Sequence, residues 1–425
     1  MIPKVIILFL STILIFLSTS PLTLIRAYIF FRPLVQPFAN KHLTLFDNIP
    51  INAPLPLIVI FYSFLGCIFR KDFSIIVPKV IPLYFLLYWS IFSLYNTKYY
   101  LASIGFIFKI LTAVSVYLFV YNAIQFTEDI KNMLKTICAI CFISIIWGFY
   151  QFIFRKGKIW FDGIVRIHSF LVGANEYGIF LSLCLIATLL MIMIFDSENK
   201  FYKFLFVMII IASILALNRG SWIAMSSALI LGYFFFRNKI KFRYIIGPIL
   251  IVFIVFSPII ILRFSEWSEA TPANTFLARI NMCKIILKLI PYHPFIGFGI
   301  GTADLLFQDL FGIRAWPHND YLRLALEIGI GVIFYVYFLF SVLFLFLKNR
   351  YKNWKFNFCF VVLLLYWIII SIPQNIINDV INFPLFMALV ACGVKYVNLT
   401  ATEDKNYERT YFFNRNGTQW DDCFS

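Results

Sequence analysis

Charge is scarce in this chain. Asp, Glu, Lys and Arg make up 13% of its 425 residues, and only 20 of them are acidic. The surface of a water-soluble domain of this length needs far more charge, which excludes a soluble globular fold. Histidine is scarcer still, with four copies at positions 42, 168, 293 and 318. No Cys, His and carboxylate set shows zinc-ligand spacing, so no metal is expected. No Gly-Lys-Ser or Gly-Lys-Thr follows a glycine-rich loop, and strand–helix context is missing, so neither a nucleotide nor any other cofactor is expected. Cysteine is present eight times. Cys138 and Cys141 stand three apart in an apolar run without His or carboxylate neighbours, and read as small apolar side chains rather than a redox or metal pair. Short segments alternating polar and apolar residues, the mark of a membrane β-barrel, are also lacking.

What is present is long, continuous apolar sequence. Hydrophobic residues reach 62% and Phe alone accounts for 52 positions. In lipid every backbone amide must be satisfied within its own segment, so long runs with few charges read as transmembrane helices. The expected fold is all-α, a polytopic bundle with about twelve spans near 5–30, 54–69, 74–95, 101–122, 133–154, 170–195, 201–217, 221–236, 243–262, 329–347, 356–371 and 383–398. Residues 1–398 form the transmembrane domain, and 399–425 a polar, flexible cytoplasmic tail. The N-terminal run lacks a convincing cleavage pattern and reads as a retained first helix with an irregularity at Pro21.

The net charge of +16 sits mostly in short connectors. This is the positive-inside pattern rather than a nucleic-acid surface, and membrane lipids with anionic headgroups, or an anionic substrate, are the expected partners. Placing the basic connectors 237–243 and 348–355 in the cytoplasm puts both termini there, and leaves 263–328 as one large extracytoplasmic loop. One external connector breaks the charge rule: Arg155, Lys156, Lys158 and Arg166 face outward with only Asp162 among them. A miscounted helix explains this as readily as an anion-binding surface does.

Three external features carry polar chemistry. In LNRGSW, Asn218 and Gly220 suit a tight turn, which does not itself need Arg219. The arginine could snorkel to headgroups or bind a ligand. In FLARINMCKIILKLIPYHP the pattern predicts a short amphipathic helix ended by Pro291 and Pro294. Arg279, Lys284 and Lys288 are expected on one broad face, with Ile285, Ile286 and Leu289 resting on the bundle or membrane. Gly297, Gly299 and Gly301 follow, permitting a turn or a close backbone approach. In WPHNDYLRLALEIGIG, Pro317 can open a helix with His318 in its first turn, where a near-neutral His could act as base or hold a diphosphate.

Taken in order, these segments resemble the O-antigen ligase and O-antigen polymerase superfamily of bacterial envelope glycan assembly. His318, Leu322 and Gly329 match the His, the Leu four residues on and the Gly seven further. Asn319 and Glu327 fit the polymerase-like form. Arg279 matches the family's loop arginine and Arg219 the arginine of its SRG-like turn, while HSFLVGANEYG at 168–178 resembles its small-residue segment, with Asn175 the matched residue. The resemblance spans about 168–345. It implies a multispanning protein of the bacterial inner membrane that transfers glycan from a polyprenyl-diphosphate-linked donor to a glycan or lipid acceptor. Arg219 and Arg279 would neutralise the leaving diphosphate, and His318 would act as base or join them. Arg155, Lys156, Lys158, Arg166, Asn175 and Asn319 would help bind substrate. Within that chemistry the Asn319 form points to a polymerase, with a ligase as the alternative. A transporter or flippase is the rival from another class, although it would place ionisable residues near mid-membrane.

Overall fold

The computed structural model describes residues 20–39, 44–46, 49–50, 54–71, 73–159, 165–240, 257, 276–312 and 317–417. For 38–39, 44–46, 49–50, 54, 158–159, 276–278 and 402–417 the description covers the backbone alone. The first half forms α1 (Pro21–Ala39), α2 (Pro54–Phe69), α3 (Ile81–Phe92), α4 (Tyr100–Ala123), α5 (Thr127–Ile153), α6 (Ala174–Leu190) and α7 (Lys200–Leu215). The second half forms α8 (Arg219–Phe236), α9 (Phe276–Leu289), α10 (Ala303–Phe311), α11 (Asp320–Ile328), α12 (Val332–Lys348), α13 (Trp354–Ile370) and α14 (Asn382–Gly417). The extended structure among the described residues is two short antiparallel ribbons, β1 (Thr44–Phe46) with β2 (Ile49–Pro50) and β3 (Lys158–Ile159) with β4 (Val165–Arg166).

The chain is a helical integral membrane protein. Among the described residues, five helices are long and apolar enough to cross a membrane: Tyr100–Ala123, Thr127–Ile153, Ala174–Phe195, Asp320–Lys348 and Asn382–Ala401. Leu55–Phe69 and Trp354–Ile370 are shorter apolar helices. The expected span at 243–262 lies outside the described residues apart from position 257, and so does the expected first span before residue 20. Pro21 is the first residue of α1 rather than a flaw within a helix, since proline lacks only an N–H that the first turn leaves unused. The expected span 74–95 shrinks to a helix from Ile81 followed by a 3₁₀ turn at Ser93–Asn96. Asn122 of α4 explains the delay: its side chain exchanges hydrogen bonds with the backbone of Ser74 at 2.9 and 3.0 Å, and Tyr117 donates to the carbonyl of Pro78 at 2.6 Å. At the other end, α14 continues through 398, the expected edge of the domain, to Gly417.

α13 runs through the centre of the second half. Its side chains are buried nearly all round, which is why it is apolar on every face. α8, α12 and α6 pack on it. Gly232 lets α8 approach closely, since a Cβ there would stand 2.8 Å from Val362, as small residues do at helix interfaces in lipid. Trp367 is fully buried, donates to the Tyr335 hydroxyl at 2.8 Å and stacks on Phe386 of α14 with ring centres 4.0 Å apart. Cys138 and Cys141 are buried side chains of α5, in its packing against α6 and α7.

Candidate functional site

The turn between α7 and α8 is tied to the start of α6. Asn218 caps α8 by accepting from the Ser221 amide at 3.3 Å. Its amide nitrogen donates to the Asn175 carbonyl and to the Ser221 hydroxyl, both at 2.8 Å. Gly178 makes room for this contact, because a Cβ there would lie 2.7 Å from the Asn218 side chain. Asn218 thus does two jobs, ending one connector and joining it to another. Arg219 follows it directly, as the first residue of α8.

Arg166 comes to the same place from the β3–β4 ribbon. It is 4% exposed. Its Nε donates to the Ala216 carbonyl at 3.2 Å, and its Nη2 to Asn175 Oδ1 at 3.1 Å and the Leu217 carbonyl at 3.3 Å. These carbonyls are ones that the end of a helix leaves without internal partners, so Arg166 clasps the end of α7 while placing a positive charge beside the turn.

α9 brings Arg279. The helix forms over Phe276–Leu289 and passes into a 3₁₀ turn at Ile290–Tyr292, as the two prolines suggested. Ile286 is buried with Ala303, Phe307 and Leu326, and Ile285 and Leu289 pack on them. The lysines, however, do not share a face with Arg279: Lys284 and Lys288 are exposed, while Arg279 turns inward and donates to the Pro373 carbonyl at 3.3 Å. Helical geometry explains the correction, because at about 100° per residue a side chain nine positions on points to the opposite side.

His318 precedes α11 instead of lying in its first turn. Asn319 is the N-cap, its Oδ1 accepting from the Leu322 amide at 3.0 Å. An asparagine cap is a better helix start than the proline two residues before it. Asp320 then fastens the α13–α14 connector. Its amide donates to the Ser371 carbonyl at 2.9 Å, and its Oδ2 accepts from the amides of Ile376 and Ile377 at 2.9 and 3.3 Å. The other end of α11 meets the glycine loop. The amides of Phe298 and Gly299 donate to the carbonyls of Leu326 and Glu327 at 3.0 and 2.9 Å, and Ile330 returns a bond to Pro294 at 2.9 Å. Gly297 and Gly329 have φ of +67° and +58°, and a Cβ on either would fall within 2.4 Å of the facing backbone. Gly297 and Gly329 therefore serve close backbone approach, and the helix that follows His318 is capped at its start and clamped at its end.

The electrostatics connect the four basic groups. Burial, and then the neighbouring Arg219, lower the Arg166 guanidinium to about 10, with Glu176 acting in the opposite direction. Arg279 is lowered by burial and then by Arg219. His318 is lowered to about 4 by burial and then by Arg279. Arg166, Arg219, Arg279 and His318 thus form a continuous series of electrostatic neighbours, drawn from four separate segments. Grouped, half-buried positive charge with a neutral histidine beside it is suited to receiving an anion and a proton at adjacent points.

The other basic residues of the external connector are placed differently. Arg155 and Lys156 are exposed at the end of α5, with Lys156 donating to the Tyr150 hydroxyl at 2.9 Å. Lys158 sits opposite Arg166 in the ribbon. Of this group, Arg166 joins the site. Asn175 and Asn319 are present, but both spend their side-chain oxygens on structure, the first on Arg166 and the second on capping α11. The α13–α14 connector was missed by sequence reasoning. Its signal was a run of Gln374, Asn375, Asn378, Asp379 and Asn382 between two apolar spans. Asp379 accepts from the amides of Ile381 and Asn382 at 2.9 and 3.0 Å, and Asn382 reaches the Glu176 carbonyl at 2.9 Å. Also missed was a buried ion pair, Arg323 with Glu327 at 3.0 Å, in which Glu327 Oε1 also accepts the Ala303 amide at 3.1 Å.

No curated protein matches the chain. The family model described as O-antigen ligase matches residues 204–337, a stretch that holds Arg219, Arg279 and His318 together with α8 to α11 and the start of α12. With its apolar helices the chain is an integral membrane protein, and its segment 204–337 is similar to the O-antigen ligase family.

Proposed function

We propose that this protein is a polymerase of lipid-linked glycan, joining oligosaccharide repeat units carried on polyprenyl diphosphate during surface polysaccharide assembly. The site would face the extracytoplasmic side of the bacterial inner membrane, with both termini in the cytoplasm. The observation carrying the reading is the meeting of Arg219, Arg279 and His318, three residues from distant segments, in one electrostatic group. In the reaction, the acceptor hydroxyl oxygen attacks the anomeric carbon of the donor sugar. The bond from that carbon to the diphosphate oxygen breaks, and its electron pair leaves with the diphosphate. Arg219 and Arg279 neutralise the growing charge with rigid guanidinium donors, so the step runs without a metal. The hydroxyl proton passes to His318. Arg166 reinforces the positive field from behind while clasping the turn. The polyprenyl chain stays in lipid beside the helices.

The low pKa of His318 favours the base role over that of a charged diphosphate ligand, since the ring is neutral at pH 7. A base this weak needs help. Bound diphosphate supplies it, because two or more negative charges beside Arg279 offset the field that disfavours the imidazolium. The donor thereby activates the base that serves it. Purified protein reconstituted with lipid-linked repeat units tests the scheme: His318→Ala and Arg279→Ala are expected to abolish elongation at unchanged protein level. Normal elongation by both variants would refute it. Lengthened lipid-linked chains identify a polymerase. A new conjugate on a lipid or protein acceptor identifies a ligase, the alternative within the same chemistry.

A further inference from the structure

The strap joining α13 to α14 touches the segments that carry Arg219, Arg279 and His318, although it lies beyond the matched segment 204–337. Asp320, two residues after His318, holds it through Ser371, Ile376 and Ile377. The Pro373 carbonyl takes the inward-facing Arg279 at 3.3 Å. The next residue, Gln374, reaches the Arg219 turn: a Cβ on Gly220 would stand 3.3 Å from the Gln374 amide nitrogen.

Gln374 is 8% exposed and makes no hydrogen bond among the described residues. A side-chain amide offers two donors and two acceptor sites. The Gln374 amide atoms are not sealed off from solvent, so they can meet a ligand that enters the site. Its neighbours on the strap show the contrast. Asp320 and Asp379 satisfy backbone amides, and Asn378 accepts from Lys109 at 2.6 Å. Asn375 Oδ1 is also without a partner, but it is Gln374 that stands beside the arginine turn with its amide unspent, next to the residue whose carbonyl takes Arg279.

We propose that Gln374 is a donor-contacting residue, its amide donating a hydrogen bond to a phosphate oxygen of the polyprenyl diphosphate between Arg219 and Arg279. The assignment rests on the glycosyl-transfer reading of the site. A neutral donor suits this place. A third full charge would add repulsion to arginines whose pKa values burial already lowers, whereas an amide adds a directed bond at no charge. The strap then has a single logic: Asp320 fixes it, Pro373 aims Arg279, and Gln374 completes the phosphate cradle.

The test is binding of polyprenyl diphosphate to the full-length protein in nanodiscs, with polyprenyl monophosphate alongside. Gln374→Met keeps the length of the side chain and removes its hydrogen bonds. It is expected to weaken diphosphate binding about tenfold, the loss of one hydrogen bond to a charged group. Gln374→Glu is nearly isosteric and is expected to lose more, since it replaces the donor with a negative charge. A space-filling role would tolerate both, so thermal melting of each variant matching the parent, together with weakened binding, supports the assignment. Parent-like diphosphate affinity in both variants would overturn it while leaving the glycosyl-transfer reading intact. Absence of diphosphate binding by the unmodified protein would overturn that reading, and this one with it. In the elongation assay the same variants should raise the donor KM more than they lower kcat.

Discussion

Removing the charge of Arg279 should move the titration of His318. In the folded protein the ring is pushed from 6.5 to about 4, by burial first and by Arg279 second. That distance corresponds to roughly 3 kcal/mol in favour of the neutral ring, and leaves about one ring in a thousand protonated at pH 7. Arg279→Gln keeps an amide of similar reach and deletes the charge. The pKa is then expected to rise, but to stay below 6.5, because burial is the larger cause and survives the substitution. The assay is ¹⁵N NMR of histidine-labelled protein in nanodiscs. With four histidines in the chain, His318→Gln assigns the signal. Titration of His318 at 6.5 or above in the unmodified protein, or no movement in Arg279→Gln, would refute the electrostatic argument. The sign carries into stability: the unfolded chain takes up the proton near 6.5 and the folded one only near 4. The contribution is therefore fully present above pH 6.5 and is lost as the pH falls towards 4. It carries into kinetics as well. The acid limb of kcat/KM reports the free enzyme and should lie near pH 4, while that of kcat should lie higher, because bound diphosphate raises the histidine pKa.

Asn319→Ala removes the cap of α11 and should cost about 1 kcal/mol, whereas Asn319→Asp or Asn319→Ser keeps the cap; melting curves in detergent distinguish them. If Asn319 also binds substrate, Asn319→Ser will raise the donor KM without lowering the melting temperature. Gly329→Ala should destabilise sharply, because its φ of +58° disfavours a side chain and the new Cβ would lie 2.4 Å from the Pro294 carbonyl oxygen. Glu327→Ala leaves Arg323 buried without its partner and should cost roughly 3–5 kcal/mol. The double replacement Arg323→Met with Glu327→Leu should recover most of that loss in the same melting assay.

Much of the architecture was legible because lipid imposes a severe rule on sequence. A chain so poor in charge has to satisfy its backbone within helices, and the apolar runs showed where most of them lie. The proline-ended helix at 276–289, the turn at Asn218 and the crowding allowed by Gly297 followed from local chemistry alone. Local chemistry could also be read too simply. Asn319 outcompetes Pro317 for the helix start, and Arg279 faces away from Lys288, because capping bonds and helical phase decide orientation more finely than residue type. The order and spacing of His318, Leu322, Gly329, Arg219 and Arg279 were enough to indicate the resemblance that the matched segment 204–337 also shows. What sequence could not give was company. Arg166 and Arg155 belong to the same basic run, yet one is locked onto the end of α7 and the other is exposed. The strap at 371–377 has no motif, and its importance comes from the residues it touches across the chain. Sequence set the solvent, the helices and the reactive residue types. Tertiary structure chose which charges converge, because that depends on long-range hydrogen bonds and close glycine contacts between segments far apart in the chain.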